Sequence, residues 1–461
     1  MKKIISLVVV LALLGLFGPN IIGNKVNDNL EDTVASINKM TGYSATIESR
    51  SKSWFETTAV VNVGIDPELF GEVADMRALK TWSSDLNVSI QHGPFLTLNG
   101  LDLGLFAWKA ESDEALLREF LEYGQEARFY SIEGKVGLLG SVSYIDNIPS
   151  FSISNTGLRS PPKFSGWSGE GLISATQSNY MGKMDSFVVA ENGDRFEIKS
   201  VKLNVGYEGS WADVLTDIFY GSSMEFAIGS IYFDAEEVEL NLENLLMSFA
   251  SKISEDGKLM NIGADYSIGE IGTPLLTLQD LLIKTEINNL EKEFVGAYQK
   301  VLEQPFNDPE VMANMLKNSL LRQLQVSPEL NFTEISGKLA DKGFSAKLLT
   351  KVTGIDTLPD DLSDPLFWRS KMVIDSNLTL DKAAAILAVE KMIYQIEPGL
   401  SELYLSKKEI RDLAKEKVEE MVLMLVMLDY ITVNQDDEYE MAFTMQDGQA
   451  MLNGKLIPLP Y

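Results

Sequence analysis

The sequence predicts an α+β protein that is rich in β-structure: an elongated, curved antiparallel sheet with packed helices, preceded by one N-terminal transmembrane helix. Two observations predict this class. Apolar and polar residues alternate in many segments, as at Ala59, Val61 and Val63, which is typical of strands with one buried face. One long apolar run stands apart from them at the N-terminus. The predicted molecule therefore combines a membrane anchor with a β-rich body.

The N-terminal segment has the pattern of an export signal. Lys2 and Lys3 precede an apolar run that resumes after Pro19 and ends at Ile22, close to the roughly 20 residues that a bilayer requires. Its strong hydrophobes favour insertion by roughly 3 to 6 kcal/mol, so insertion is the predicted outcome. The anchor residues are Ile4, Leu7, Val10, Leu14 and Phe17.

Signal cleavage requires small residues three and one before the cut bond. Wherever a glycine of this segment could stand one residue before the cut bond, the residue three before it is Leu13, Leu16 or Ile21, and none of these is small. We therefore predict that residues 1–23 form an uncleaved signal-anchor, with a cleaved signal as the alternative. The lysines orient the N-terminus to the cytoplasm, which predicts a single-pass protein of the cell inner membrane with its body in the periplasm.

The remaining chain divides into two parts. Val26, Leu30, Val34 and Ile37 recur at helical spacing, which predicts a juxtamembrane helix over residues 24–41. Residues 42–461 form the predicted periplasmic β-rich body, with tight-turn dipeptides such as Asn192-Gly193 between strands.

Helical patterns interrupt the strands of the body. Some suggest strand-helix modules of about 45 residues within residues 230–400, because a leucine followed by an acidic residue recurs where a strand passes into a helix. The three recurrences start at Leu240, Asn289 and Thr379. The predicted helices span residues 113–123, 242–253, 290–302, 309–324, 380–393 and 408–428.

The last predicted helix contains an unbroken apolar run from Met421 to Leu428. Eight residues are too few to span a bilayer, which requires about 20. A buried core helix is the favoured interpretation. A methionine-rich wall that adapts to varied apolar ligands is the alternative, because methionine is flexible and polarisable.

Charge and composition exclude several function classes. The formal net charge of −28 repels phosphate backbones, so we predict no nucleic-acid partner. Cysteine is absent from the sequence, which excludes disulfides, thiol catalysis and thiolate metal sites. His92 is the single histidine, so the common histidine-based triads and zinc sites are not predicted.

The remaining catalytic patterns are weak. Ser49 and Lys52 have the spacing of acyl-serine enzymes, but their segment has a strand or turn pattern rather than a helical one. The segment from Gly166 to Gly169 lacks the final glycine of a nucleophile elbow, because Glu170 takes that place. Acidic pairs such as Asp436 and Asp437 are expected by chance among 67 acidic residues. We predict a non-enzymatic protein without catalytic, cofactor-binding or metal-binding residues.

Three stretches of the sequence are distinctive. They are the anchor leading into residues 43–63 with Arg50 and Trp54, the tetrapeptide His92, Gly93, Pro94 and Phe95, and residues 447–455 with Asn453 and Gly454. Together these stretches resemble a known family, the YdgA-like bacterial envelope proteins, a domain of unknown function. The likeness implies an inner-membrane-anchored periplasmic protein of a Gram-negative bacterium and supplies no reaction or substrate. We predict structural roles for the motif residues, with a ligand or catalytic role for His92 as the alternative.

Three functions are compatible with these features. The favoured one is an envelope protein that binds an apolar or envelope-derived ligand, such as lipid, along a sheet surface. The second is a scaffold that binds another envelope protein, which would require an exposed apolar patch. The third is a carboxylate-based glycan hydrolase, which would require two acids about 5 to 10 Å apart. In each case the membrane is contacted through the N-terminal helix.

Overall fold

The structure is a computed structural model. It describes residues 19–458 except 21, 27, 29, 40–41, 66–81, 99, 113–116, 155–157, 210–218, 236–237, 275, 303–316, 318, 360 and 397–406. The predicted anchor residues Ile4, Leu7, Val10, Leu14 and Phe17 lie outside the described residues. Within the described part, no helix has the length and apolar character needed to cross a membrane.

The chain forms two compact units, and both are built on antiparallel strands with few helices. This confirms the β-rich class that the alternating patterns predict. The first unit comprises Met1–Gly193 with Ser200–Ala212, and the second comprises Asp194–Lys199 with Asp213–Tyr461.

In the first unit, antiparallel pairing runs in the order β1, β2, β3, β6, β8, β9, β12, β13. A 3-10 turn, Leu117–Glu119, precedes β7. The strands are β1 (Tyr43–Lys52), β2 (Glu56–Ile65), β3 (Trp82–His92), β4 (Phe95–Leu96), β5 (Asp102–Leu103), β6 (Phe106–Ser112), β7 (Leu121–Glu122), β8 (Tyr130–Val136), β9 (Val142–Ile148), β10 (Phe151–Ile153), β11 (Lys163–Phe164), β12 (Trp167–Ile173), β13 (Gln177–Glu191) and, from Ser200 onward, β14 (Asp194–Glu208).

The N-terminal helical segment, residues 22–26 and 30–37, packs on one face of β1 and β2 in the first unit. Ala45, Ala59 and Val61 form a buried cluster on β1 and β2, and the helical spacing of the segment places its apolar side on that cluster. This segment therefore belongs to the core of the first unit and is not a free spacer. The helical side chains in this contact are Leu30, Val34 and Ile37.

In the second unit, the pairing runs from β15 through β21 in chain order, then to β23, β24 and β25, with β22 beside β23. The strands are β15 (Ser222–Ala235), β16 (Val238–Ile253), β17 (Leu259–Gly272), β18 (Thr277–Glu291), β19 (Glu329–Leu339), β20 (Lys342–Val352), β21 (Met372–Asp381), β22 (Thr432–Val433), β23 (Glu438–Gln446), β24 (Gln449–Leu452) and β25 (Lys455–Ile457).

Four helices with complete bounds belong to the second unit. α1 and α3 begin where β18 and β21 end, close to the starts predicted at residues 290 and 380. α4 agrees with the prediction over residues 408–428, and residues 317 and 319–325 are also helical. The helices are α1 (Lys292–Leu302), α2 (Pro365–Lys371), α3 (Lys382–Ile396) and α4 (Lys407–Met427).

Two predicted helices are wrong. Residues 242–253 lie in β16, because this segment pairs along its length with both β15 and β17, and those ladders prevail over a helix-like spacing of leucines. The module that starts at Leu240 is therefore strand throughout, whereas those at Asn289 and Thr379 span a strand-to-helix boundary. Residues 117–123 form the 3-10 turn and β7 instead of a regular helix.

The apolar run of α4 also differs from the favoured interpretation. Val422, Leu425 and Val426 are half-buried, but the other side of the same turns is exposed. The run is therefore not a buried core helix. Its exposed residues are Met421, Leu423, Met424, Met427 and Leu428.

Candidate functional site

Glycines alternate with large aromatic residues across the strands of the first unit. Trp108 on β6 pairs with Gly134 on β8, which pairs with Tyr144 on β9. Tyr144 in turn pairs with Gly171 on β12, and Gly171 pairs with Tyr180 on β13. Directly paired residues share one face of a sheet, so the aromatic side chains of this row all project from the same face.

The aromatic rings lie over the glycines of neighbouring strands. A Cβ atom added to Gly171 would lie 2.1 Å from Cζ of Tyr144. A Cβ atom on Gly182 would lie 2.1 Å from Cζ2 of Trp167. At Gly169 it would lie 2.2 Å from the Tyr180 hydroxyl oxygen. Only glycine leaves room for such close approach, since real side chains do not tolerate these distances.

We call this surface the aromatic platform and define it as Tyr144, Trp167 and Tyr180. All three residues are half-buried, so each retains some accessible surface. The rings of Tyr144 and Tyr180 are nearly parallel, with centroids 6.2 Å apart and an interplanar angle of 15°. The platform therefore offers ring surface together with the polar edges of its tyrosine and tryptophan side chains.

A chain of hydrogen bonds joins the platform to a buried carboxylate. Nε1 of Trp167 donates to the hydroxyl oxygen of Tyr180 at 2.9 Å. The Tyr180 hydroxyl donates to Oδ1 of Asp146 at 3.0 Å. Asp146 is only 9% exposed and lies on β9 two residues after Tyr144, so both project from the same face.

Burial dominates the electrostatics of this cluster. It raises the pKa of Asp146, while the hydrogen bond from Tyr180 acts in the opposite direction. Burial also raises the pKa of Tyr180 to about 12 and that of neighbouring Tyr130 to about 12. Burial is also the main cause that raises the pKa of Tyr144, and the charges of Asp146 and Tyr207 raise it further. The tyrosines are therefore neutral hydrogen-bond donors at physiological pH.

The arrangement suits binding better than hydrolysis. In β8, β9, β12 and β13, whose residues the structure describes completely, Asp146 is the one carboxylate on the platform face. Glycoside hydrolysis requires a pair of facing carboxylates, and these four strands place only one on this face. Nor do the described residues contain a group of three or more histidine, aspartate or glutamate side chains that could hold a metal ion.

A buried hydroxyl lies next to the platform. Ser178 precedes Tyr180 by two residues on β13 and therefore projects from the same face. It is 4% exposed, and its Oγ has no hydrogen-bond partner among the described residues. A buried polar atom of this kind is energetically costly unless it is paired.

His92 occupies a buried position at the end of β3. It is 1% exposed, its Nε2 lies 2.9 Å from Oγ1 of Thr57, and its Nδ1 lies 3.2 Å from the carbonyl oxygen of Trp54. Burial lowers the pKa of the ring, and the hydrogen bond to Trp54 partly offsets that effect. His92 is therefore held in a buried position by contacts from both of its ring nitrogens.

The other residues of the tetrapeptide form a tight connection after β3. The Gly93-Pro94 peptide bond is cis, and the Gly93 amide donates to the Leu105 carbonyl at 2.7 Å. A Cβ atom on Gly93 would lie 1.9 Å from the Gly104 carbonyl oxygen, so a glycine is required there. Phe95, on β4, is 52% exposed.

Asn453 and Gly454 form the turn between β24 and β25 in the second unit, with φ values of 49° and 75°. The Asn453 side chain accepts from the Ala442 amide at 2.8 Å and donates to the Asp429 carbonyl at 2.9 Å. It thus connects the end of α4 to β23.

The weak catalytic patterns of the sequence find no supporting geometry. Ser49 and Lys52 lie on strand β1, where a separation of three residues points side chains to opposite faces. Ser168 lies within β12 and not at a strand-to-helix turn. Asp436 is exposed, and its amide donates to Oδ1 of Asn434 within a turn.

Sequence reasoning did not identify Tyr144, Asp146 or Tyr180, and it considered Trp167 only as part of a nucleophile motif. One signal was available, because glycines inside an alternating strand mark places where another group approaches the backbone closely. Gly169 and Gly171 on β12 are such positions.

Comparisons with known proteins give one match. The model of a family described as a bacterial protein of unknown function (DUF945) matches residues 1–460. No curated protein and no solved structure shows significant similarity to the chain.

Proposed function

We propose, from the premise that this chain belongs to the DUF945 family of bacterial proteins, that it is a non-enzymatic envelope protein that binds a glycan of the cell envelope on the aromatic platform. The observation that carries this proposal is the set of three half-buried rings lying over glycines, two of which, Trp167 and Tyr180, are linked by hydrogen bonds to Asp146.

The chemistry of the platform favours a sugar over an acyl chain. A pyranose ring has an apolar C–H face that packs on an aromatic ring, and hydroxyl groups at its edge that hydrogen-bond. Asp146 has acceptor capacity for such hydroxyls, and the Ser178 hydroxyl is a further buried group that needs a partner. An acyl chain would pack on the rings but would give the Ser178 hydroxyl no partner, and a buried unpaired hydroxyl costs roughly 1 to 3 kcal/mol.

The cellular setting remains part of the proposal. The sequence pattern before residue 24 supports an uncleaved anchor in the inner membrane of a Gram-negative cell, and the stretches around His92 and Asn453 support a YdgA-like member of the family. In this setting an elongated, curved sheet in the periplasm would carry the platform. Full-length protein should retain Met1–Gly23 and fractionate with the inner membrane, whereas a soluble form that begins near Asn24 would contradict the anchor.

The platform is tested by glycan binding. Full-length protein in nanodiscs is titrated with a short oligomer of β-1,4-linked N-acetylglucosamine, and in parallel with lauric acid. We expect binding of the sugar, weakened at least tenfold in Trp167→Ala because the lost ring removes packing area. Tyr180→Phe, which keeps the ring and removes the hydroxyl, should weaken binding less.

Phe55→Ala is the matched control. Phe55 is an aromatic residue of the same unit that is 55% exposed and is not part of the platform. Its loss should leave sugar affinity unchanged. Equal affinity in wild-type protein and Trp167→Ala, or binding of lauric acid but not of the sugar, would refute the glycan proposal.

A further inference from the structure

α4 has one buried side and, over its last two turns, a second apolar side that is exposed. One side faces the second unit, where Ala414 and Val418 are 0% and 1% exposed. The other side is defined here as the α4 outer stripe. It consists of Met421, Leu423, Met424, Met427 and Leu428, whose exposures are 49%, 61%, 55%, 76% and 53%.

Helical spacing makes the stripe continuous. Met424 lies three residues after Met421, three before Met427 and four before Leu428. Residues at these spacings are neighbours on a helix surface. Single exposed apolar residues are ordinary on proteins, but a contiguous group typically marks a binding surface. Methionine side chains adapt to the shape of a partner, which suits such a surface.

Charge defines one end of the stripe. Glu416 and Glu420 are exposed on the same side of α4, one to two turns before Leu423 and Met424. Neither carboxylate forms an ion pair with any described residue, whereas Asp429 at the other end lies 2.6 Å from Nζ of Lys455. The stripe therefore passes from two carboxylates, which have no ion pair within the described ranges, into an apolar surface.

We propose that the α4 outer stripe docks an amphipathic helix of another envelope protein, with lysine or arginine residues beside its apolar face. An apolar face covers the methionines and leucines, and the cationic residues pair with Glu416 and Glu420. The formal net charge of −28 disfavours the two other occupants, a second copy of this chain and an anionic lipid surface. This docking is independent of glycan binding by the first unit.

The test uses a labelled synthetic helix of leucine and lysine with one apolar face, and a scrambled peptide of the same composition without that face. Full-length protein in nanodiscs of zwitterionic lipid is titrated with each peptide by fluorescence anisotropy, with empty nanodiscs as the blank. We expect the amphipathic peptide to bind more tightly than the scrambled one. Met424→Glu should weaken its binding at least tenfold.

Charge and apolar contact are separated by further variants. Glu416→Gln with Glu420→Gln should weaken binding several-fold and reduce its salt dependence, since the paired charges are lost. Leu139→Glu is the matched control, because Leu139 is 99% exposed and belongs to the first unit. It introduces the same charge and should leave affinity unchanged. Melting temperatures of all variants verify folding.

Three results would overturn the proposal. One is equal affinity for the amphipathic and scrambled peptides. The second is self-association of the full chain that Met424→Glu abolishes, which would assign the stripe to a second copy. The third is adsorption to anionic vesicles that Met424→Glu abolishes, which would assign it to lipid.

Discussion

Gly23 lies directly against the imidazole ring of His92. A Cβ atom at position 23 would stand 2.4 Å from Cε1 and 2.7 Å from Nδ1 of that ring. Gly23 belongs to the N-terminal helical segment, and His92 ends β3. His92, the first residue of the tetrapeptide that carries the family resemblance, therefore packs against the last residue of the predicted membrane anchor.

The contact predicts an unusual response to Gly23→Ala. Alanine normally stabilises a helix relative to glycine by about 1 kcal/mol. Here the added methyl group would overlap the His92 ring, and overpacking costs roughly 1 to 3 kcal/mol. We expect a lower free energy of unfolding, measured by chemical denaturation. Gly296→Ala in α1 is the control, because no atom lies within 4 Å of its added Cβ; it should stabilise, and equal effects of the two substitutions would contradict the packing.

His92 should make stability depend on pH. Because burial lowers the pKa of the folded-state ring below its ordinary 6.5, the unfolded chain binds the proton more tightly. The free energy of unfolding should therefore fall as pH drops below about 6.5. Lys52 strengthens and Glu56 opposes this lowering of the pKa.

His92→Gln should flatten the slope of unfolding free energy against pH between about 5 and 7, since His92 is the only histidine. The substitution should also cost about 1 to 3 kcal/mol at neutral pH, because the buried Thr57 hydroxyl loses its ring partner. Identical slopes in variant and wild type would show that His92 does not titrate in this range.

The aromatic platform predicts that Gly171 cannot carry a side chain. Gly171→Ala should displace the Tyr144 ring, lower the melting temperature and weaken sugar binding, at a cost of roughly 1 to 3 kcal/mol in stability. Gly263→Ala on β17 is the control, because space around that glycine is open. Near-ultraviolet circular dichroism reports the ring displacement, and an unchanged spectrum in Gly171→Ala would contradict the close approach.

Two Asn-Gly turns allow the contribution of one side chain to be isolated. Asn192 and Asn453 both have positive φ, at 54° and 49°, so alanine strains both turns alike. Only the Asn453 side chain makes the hydrogen bonds to Ala442 and Asp429 described above. Asn453→Ala should therefore reduce the free energy of unfolding by about 1 to 2 kcal/mol more than Asn192→Ala. Equal losses of unfolding free energy in the two variants would show that these hydrogen bonds of Asn453 do not contribute to stability.

Some elements could be predicted from sequence because their cause is local. The alternation at Ala59, Val61 and Val63 depends only on the two-residue period of a strand, and these residues indeed share a face, with two of them buried beneath the N-terminal helical segment. The position of α4 was also predicted closely, over residues 408–428 against the observed Lys407–Met427. The helix predicted over residues 242–253 failed because pairing with β15 and β17 is not a local property.

The sequence by itself determined the antiparallel β-rich class, helical structure within the predicted range 24–41, observed at residues 24–26 and 30–37, and the turn at Asn192-Gly193. Only the tertiary structure decided which strands are neighbours, and therefore that Tyr144, Asp146, Trp167 and Tyr180 share one face. It also decided that one side of Met421–Leu428 is exposed. The reason is physical: a side-chain period is set by adjacent residues, whereas strand order and burial depend on contacts between residues distant in the chain, which no local pattern encodes.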